Sequence, residues 1–332
     1  MAAACHRQPH LSTAFIVKPS APHTHTVILL HDVASNGTMF GRDLMRLGKT
    51  SSNKTLDWLF PGVKFVFPSS PRLPCLALRK MRLSLWFDVA RLDDPSFRQE
   101  IQRQGLCAST RHIAVLLHWE MRSVPADKII IGGLGQGCAL SLVLLLSLGF
   151  PIGGMIGMSG FLPFQYELEM DVGCHTGYQD SKDGNDDENG IYDDSGVDQD
   201  DLDYDSQSED SDELPDDDDD DVDDDSDDDQ VTQHPVVRAQ IFERTLLQIN
   251  SREHPCKERT SYQTPILLGH GVEDGSIPHS MGQKAAGAMR SLEYEVEWRS
   301  YTEFGHGYKV PAEIDDIVEF MRSKVGLEPR HH

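Results

Sequence analysis

Three short segments carry the residue types of acyl-transfer chemistry, in an order that such chemistry uses. The first, Lys128 to Ala139, reads as an Ile-rich strand, a glycine-rich turn and the start of a long apolar helix. A strand-to-helix turn of the form Gly-x-Ser-x-Gly exposes a nucleophile at its tip, and its flanking glycines let strand and helix approach without a Cβ between them. Gly133 and Gly137 occupy the flanking positions, and Gly135 stands where the serine belongs. The second segment, Leu268 to Pro278, places Asp274 just past an apolar run. The third, Tyr301 to Tyr308, places His306 in a glycine-flanked loop before the last helical pattern. In that order a histidine takes the proton of the nucleophile, and an aspartate holds the imidazole in the right tautomer. Gly135 has no oxygen to deprotonate. Loss of the serine costs a triad enzyme a factor of about 10⁶ in turnover, and binding with an oxyanion hole leaves ~10³–10⁴ over water. Cys138 lies further along the turn's helix and is expected to be packed and inert. Ser159, at the end of the next strand, is expected to be structural.

Strands and helices must alternate to bring these segments together. Strand-like apolar runs recur at Thr26–Leu30, Val63–Phe67, Lys128–Ile131, Gly154–Met158, Pro265–Leu268 and Tyr294–Trp298. Helical spacing marks Ala108–Arg122, Val236–Ile249 and a last amphipathic segment opened by Pro311. The pattern predicts an α/β fold, a mostly parallel sheet with helices on both faces, and sites at the carboxyl ends of its strands. The uncharged stretch Gly137–Phe164 has the length of a membrane span, but Phe150-Pro151 and Gly153-Gly154 break it. A buried helix followed by a buried strand accounts for it better, and no transmembrane segment is expected.

The chain carries a formal charge of −24 over 332 residues, and nearly all of it is local. Asp180–Asp229 contains 28 acidic residues and one basic residue, Lys182, while the remainder has a net charge of +3. The expected organisation is a flexible tail over 1–24, one domain built from 25–170 and 235–328, and a disordered acidic insert over 171–234. Asp183, Asn185 and Asp187 follow the spacing of a calcium loop, but Glu188 replaces its required glycine, and no metal or other cofactor is expected. Lys and Arg form no cluster of the kind a nucleic acid needs. The insert is read as a self-repelling linker, with recruitment of a basic protein partner as its functional alternative. Six scattered cysteines without a CxxC pair read as reduced thiols of a cytoplasmic protein.

With further matches at Leu30-His31, Ser35-Asn36-Gly37, Phe67 to Arg72, Trp86-Phe87-Asp88 and Gly157 to Pro163, the chain resembles the acyl-protein thioesterase or phospholipase/carboxylesterase family of α/β-hydrolases. The resemblance covers roughly residues 25–165 and 236–325. It implies hydrolysis of acyl esters or thioesters, including those of lipidated proteins. It also implies His306 as base, Asp274 as its orienting carboxylate, and an oxyanion hole of the Gln136 amide with Val33 in the turn after His31. That turn departs from the family by reading Asp32-Val33-Ala34 where glycine follows the histidine. A carboxylate at Asp32 facing a developing oxyanion at ~5 Å would repel it by roughly 3 kcal/mol at an effective dielectric of ~20. Two functions stay open: a family hydrolase, or a catalytically inactive pseudoenzyme acting as an acyl-binding or protein-interaction module.

Overall fold

A computed structural model describes residues 14–173, 234–250 and 254–330. The strands are β1 (Phe15–Val17), β2 (His25–Leu30), β3 (Val63–Phe67), β4 (Arg72–Cys75), β5 (Met81–Ser84), β6 (Ile129–Leu134), β7 (Gly154–Met158), β8 (Ile266–Gly271) and β9 (Val296–Tyr301). Seven of them form one sheet in the order β1-β3-β2-β6-β7-β8-β9, and β4 and β5 form a separate hairpin. Every pairing in the large sheet is parallel except that of β1 with β3. This is the mostly parallel α/β sheet anticipated from the alternation of elements, and it agrees with the α/β-hydrolase fold that the resemblance implies.

The period-two alternation of strand side chains divides the core into two layers. Ile28, Leu30, Ile129, Ile131, Ile266 and Leu268 point to one face. Val27, Leu29, Phe65, Phe67, Ile130 and Leu267 point to the other. Helices α3 (Arg103–Glu120), α4 (Gln136–Ser147), α6 (Pro235–Leu246) and α7 (His279–Ser291) supply partners for the first face. Helices α1 (Gly37–Leu47), α2 (Leu56–Leu59) and α8 (Ala312–Ser323) supply them for the second. All residues of α4 are buried, so the long uncharged stretch is a core helix followed by the central strand β7. Among the described residues, no helix is long and apolar enough to cross a membrane.

Strands β6 and β8 run three residues past their expected ends, and three further elements depart from the sequence expectation. Residues 15–17, assigned to the loose tail, form β1, in which Phe15, Ile16 and Val17 face Phe67, Val66 and Phe65. Three apolar residues between Pro- and His-rich stretches are too few to show alternation, and the pairing comes from β3. The edge strand β9 begins two residues later than expected and continues through polar Arg299 and Ser300, because its register is set by β8, with Ile266 opposite Val296 and Gly271 opposite Tyr301. Helix α5 (Gln165–Val172) takes in Asp171 and Val172 from the segment assigned to the insert. The rest of the acidic insert, residues 174–233, lies outside the described residues, as do Cys5 and Cys174. Cys75, Cys107, Cys138 and Cys256 are free thiols.

Candidate active site

Strands β2, β6, β7, β8 and β9 end side by side, and the segments that leave their carboxyl ends carry the residues singled out above, His306 following β9. Between β6 and α4, the chain reverses at Gly135 with φ 54° and ψ −115°, a region that side chains with a Cβ rarely adopt. The turn is tight on both sides. A Cβ on Gly133 would fall 2.4 Å from the Leu30 carbonyl oxygen, and one on Gly137 would fall 2.2 Å from the same atom. Glycine is therefore required at both flanks for α4 to start against β2.

The loop after β2 is pinned from several directions. His31 is fully buried. Its Nε2 accepts the Ser70 amide at 3.0 Å, and its Nδ1 lies 2.7 Å from the Asp32 carbonyl oxygen, to which it donates. Those two bonds require a neutral ring protonated on Nδ1. Burial lowers its pKa from the ordinary value and favours the same state. Trp86 Nε1 donates to the His31 carbonyl at 2.8 Å. The Gln136 side chain accepts the Trp86 amide at 2.7 Å and donates to the Phe87 carbonyl at 2.6 Å.

This scaffold aims the Asp32 carboxylate into the turn. Its Oδ1 accepts the Gln136 amide at 2.8 Å, and its Oδ2 lies 2.8 Å from His306 Nε2. On the far side of the ring, His306 Nδ1 lies 2.8 Å from Asp274 Oδ2. Both ring nitrogens thus face carboxylate oxygens, an arrangement that suits the doubly protonated imidazolium. Burial disfavours that charge, but the hydrogen bonds and charges of Asp274 and Asp32 outweigh it, and the His306 pKa is pushed up to about 10. A ring held protonated at neutral pH donates and does not abstract.

Asp274 is the most enclosed member, with a side chain 0% exposed against 22% for His306 and 20% for Asp32. Its Oδ1 accepts the amides of Ser276 and Ile277 at 2.8 and 2.9 Å. Its Oδ2 meets His306 and lies 3.2 Å from His270 Nε2, which also reaches the Ile277 carbonyl oxygen at 2.9 Å. Burial opposes its ionisation, yet these bonds hold its carboxyl well below the usual carboxylate range. The loop carrying His306 closes over the end of β8, where a Cβ on Gly271 would fall 2.2 Å from the Gly305 carbonyl oxygen. Ser159, buried at the end of β7, donates to the Gly307 carbonyl at 3.0 Å and accepts the Gly307 amide at 3.3 Å. It ties that loop to the sheet, a structural part in keeping with the sequence reading.

The geometry unites Gly135, Gln136, Asp274 and His306, all of them candidates from sequence. The Val33 amide makes no hydrogen bond among the described residues. Cys138 is fully buried against Gly157 and Gly160, and burial pushes its thiol up to about 12, an inert state at neutral pH. The sequence marks Asp32 as a charge that could face the oxyanion and does not single out His270. The signal for His270 is its place four residues before Asp274 in the same segment, which the turn at Val272-Glu273 folds back onto the strand end. A cavity of about 550 Å³ lined by Arg103, Phe164, Phe242 and Leu246 shares no residue with this cluster.

Residues 11–178 match the model of the phospholipase/carboxylesterase family. The chain belongs to that family. Among curated members, acyl-protein thioesterase 1 of Schizosaccharomyces pombe is 34% identical over 149 residues, 45% of this chain and 61% of that protein. The matched stretch thus spans less than two thirds of that relative's length. The Gibberella zeae protein of the same name is 22% identical over 314 residues, covering 93% of this chain and 95% of its own. The fold is shared with the crystal structure of Zea mays acyl-protein thioesterase 2, at a TM-score of 0.56 and 19% identity over 94% of this chain and 99% of that one. Within the family's fold, the residues gathered here sit at the end of the sheet where α/β proteins place their ligands.

The charge state of His306 sets a pH dependence. Its folded pKa of about 10 lies above the ordinary value of 6.5, so its contribution to stability is complete below pH 6.5 and is lost as pH rises through about 10. At ~1.4 kcal/mol per pH unit, a few kcal/mol should disappear across that window. Urea unfolding at pH 7 and pH 10 measures it, and the same pair of measurements on Asp32→Asn separates this ring from lysines and tyrosines titrating nearby. Equal losses in wild type and Asp32→Asn would contradict the assignment.

Proposed function

We propose that this chain is a non-hydrolysing member of the phospholipase/carboxylesterase family, acting as an interaction module and not by turnover. One observation carries the reading. Gly135, at the nucleophile position between Gly133 and Gly137, offers no side-chain atom, and the Asp32 carboxylate takes up the space and the hydrogen-bond donors that a reacting ester would need. An attacking oxygen, a free base and an open oxyanion hole are the three requirements of acyl transfer. The first is missing, the second is protonated, and the Gln136 donor of the third is occupied, with Val33 as its remaining amide.

The relatives named acyl-protein thioesterases favour a second reading, hydrolysis of an acyl ester or thioester such as that of a lipidated protein. The intact His306–Asp274 contact at 2.8 Å supports it. The two readings separate on the full-length protein with its sequence verified at position 135. A fluorophosphonate probe should leave it unlabelled, and release of thiol from an S-acyl thioester should stay within ~10³–10⁴ of the rate in water. Covalent labelling that disappears in His306→Ala, or turnover well above that range, would refute the non-hydrolysing reading.

A further inference from the structure

We propose that the Gln136 amide and the His306 ring form a carboxylate-binding site, that Asp32 is its tethered occupant, and that glycine at position 135 is what leaves room for it. The inference deepens the proposed function and rests on its reading of Gly135 as the emptied nucleophile position. It assigns to this family scaffold a ligand class, the carboxylate anion, and makes the departures at 32 and 135 a single coupled change.

The two donors address the two oxygens of one carboxylate. Gln136 N–H meets Oδ1 and His306 Nε2–H meets Oδ2, each at 2.8 Å. The first is a backbone donor at the amino end of α4 and the second carries charge, a combination that favours an anion over a neutral carbonyl. Asp274 and Asp32 are the ionised groups that face His306, and His270 stands behind Asp274. With a single cation between two carboxylates, the inner one, Asp274, holds the ring while the outer one is the exchangeable partner.

Position 135 and the carboxylate exclude each other. An ideal Cβ on Gly135 would lie 2.2 Å from Asp32 Oδ1 and 2.3 Å from its Cγ, well inside contact distance. A serine there would push Asp32 off both donors. Conversely, the Asp32 backbone has little freedom to withdraw, because its carbonyl oxygen accepts both the His31 ring and the Ser35 amide, the latter at 3.2 Å. A tethered ligand of this kind has a high effective concentration and competes well against a free one. The site also borders solvent, since Asp32 and His306 side chains are 20% and 22% exposed, so a small anion can reach it once the tether is gone.

The test uses the full chain carrying Asp32→Gly, with sodium formate as the probe and sodium chloride at equal ionic strength as the control. The variant should melt below the wild type and recover about 2–4 °C as formate rises to roughly ten times its dissociation constant, following saturable linkage. Wild type should respond to formate no more than to chloride. A second variant, Asp32→Asn, fills the same volume without the charge. By NMR of labelled histidine, its His306 ring should titrate at least two pH units below that of the wild type, and its melting should be indifferent to formate. Two results overturn the proposal: Asp32→Gly that folds and melts like wild type without a formate response, or His306 titrating in Asp32→Asn as it does in wild type. If Asp32→Gly does not fold, the histidine titration decides alone. Ester hydrolysis by the wild type would refute the proposed function while leaving both binding readouts unaffected.

Discussion

The double variant Asp32→Gly/Gly135→Ser is expected to hydrolyse an activated ester at least ~10³-fold faster than the wild type, whereas Gly135→Ser alone stays near the wild-type rate. The added hydroxyl supplies the attacking atom, but in the single variant it arrives in a space already held by a carboxylate. The serine Cβ would sit 2.2 Å from Asp32 Oδ1, so one of the two side chains must move. While Asp32 remains near, it also keeps His306 protonated and opposes the negative charge of a tetrahedral intermediate. The serine must in addition adopt φ near 54°, which costs on the order of 1–3 kcal/mol in residues with a Cβ. Removing Asp32 frees the Gln136 amide, and the loss of its charge lowers the His306 pKa toward the range of a working base. Initial rates with a nitrophenyl ester and active-site titration with a fluorophosphonate measure the outcome. A single variant as active as the double would show that Asp32 does not obstruct the site. A folded but inactive double variant would show that the remaining residues no longer form a competent acyl-transfer site.

Asp274→Asn should destabilise the protein by about 3–5 kcal/mol, the range for breaking a buried charged network. The carboxylate is fully buried and accepts the Ser276 and Ile277 amides and the His306 ring together, with His270 Nε2 3.2 Å away. An asparagine keeps one carbonyl oxygen for the two amides but turns an N–H₂ group toward the His306 ring donor. Donor would face donor in a site closed to water. Exposed pairs such as Arg91–Asp93, with side chains 51% and 61% accessible, are held at a similar 2.7 Å yet contribute little, because solvent screens them. Chemical unfolding of both variants, Asp274→Asn and Asp93→Asn, makes the comparison internal. A loss below about 1 kcal/mol at Asp274 would mean that the ring and loop do not depend on its charge.

Much of this architecture is legible in the chain because it depends on local rules. Val63–Phe67 and Gly154–Met158 occur as strands over the expected residues, since interior strands covered on both faces leave largely apolar runs, broken here only at Lys64. The glycines at 133 and 137 announce a close strand–helix crossing by the absence of Cβ atoms, and the crossing is there. The edges were harder to read. Strand β1 is three residues long, and β9 runs into polar sequence, so both owe their extent to the neighbours they pair with.

The amino-acid order by itself determined the family's fold, the sharp turn at Gly135, and the positions of Asp274 and His306 at successive strand ends. It also determined that no hydroxyl stands at the tip of that turn. Only the tertiary structure decided where the Asp32 side chain points and how His306 is charged. The physical reason is that a rotamer on a loop and the protonation of a ring depend on groups brought together from positions 32, 136, 274 and 306, whose distances and burial no local pattern encodes.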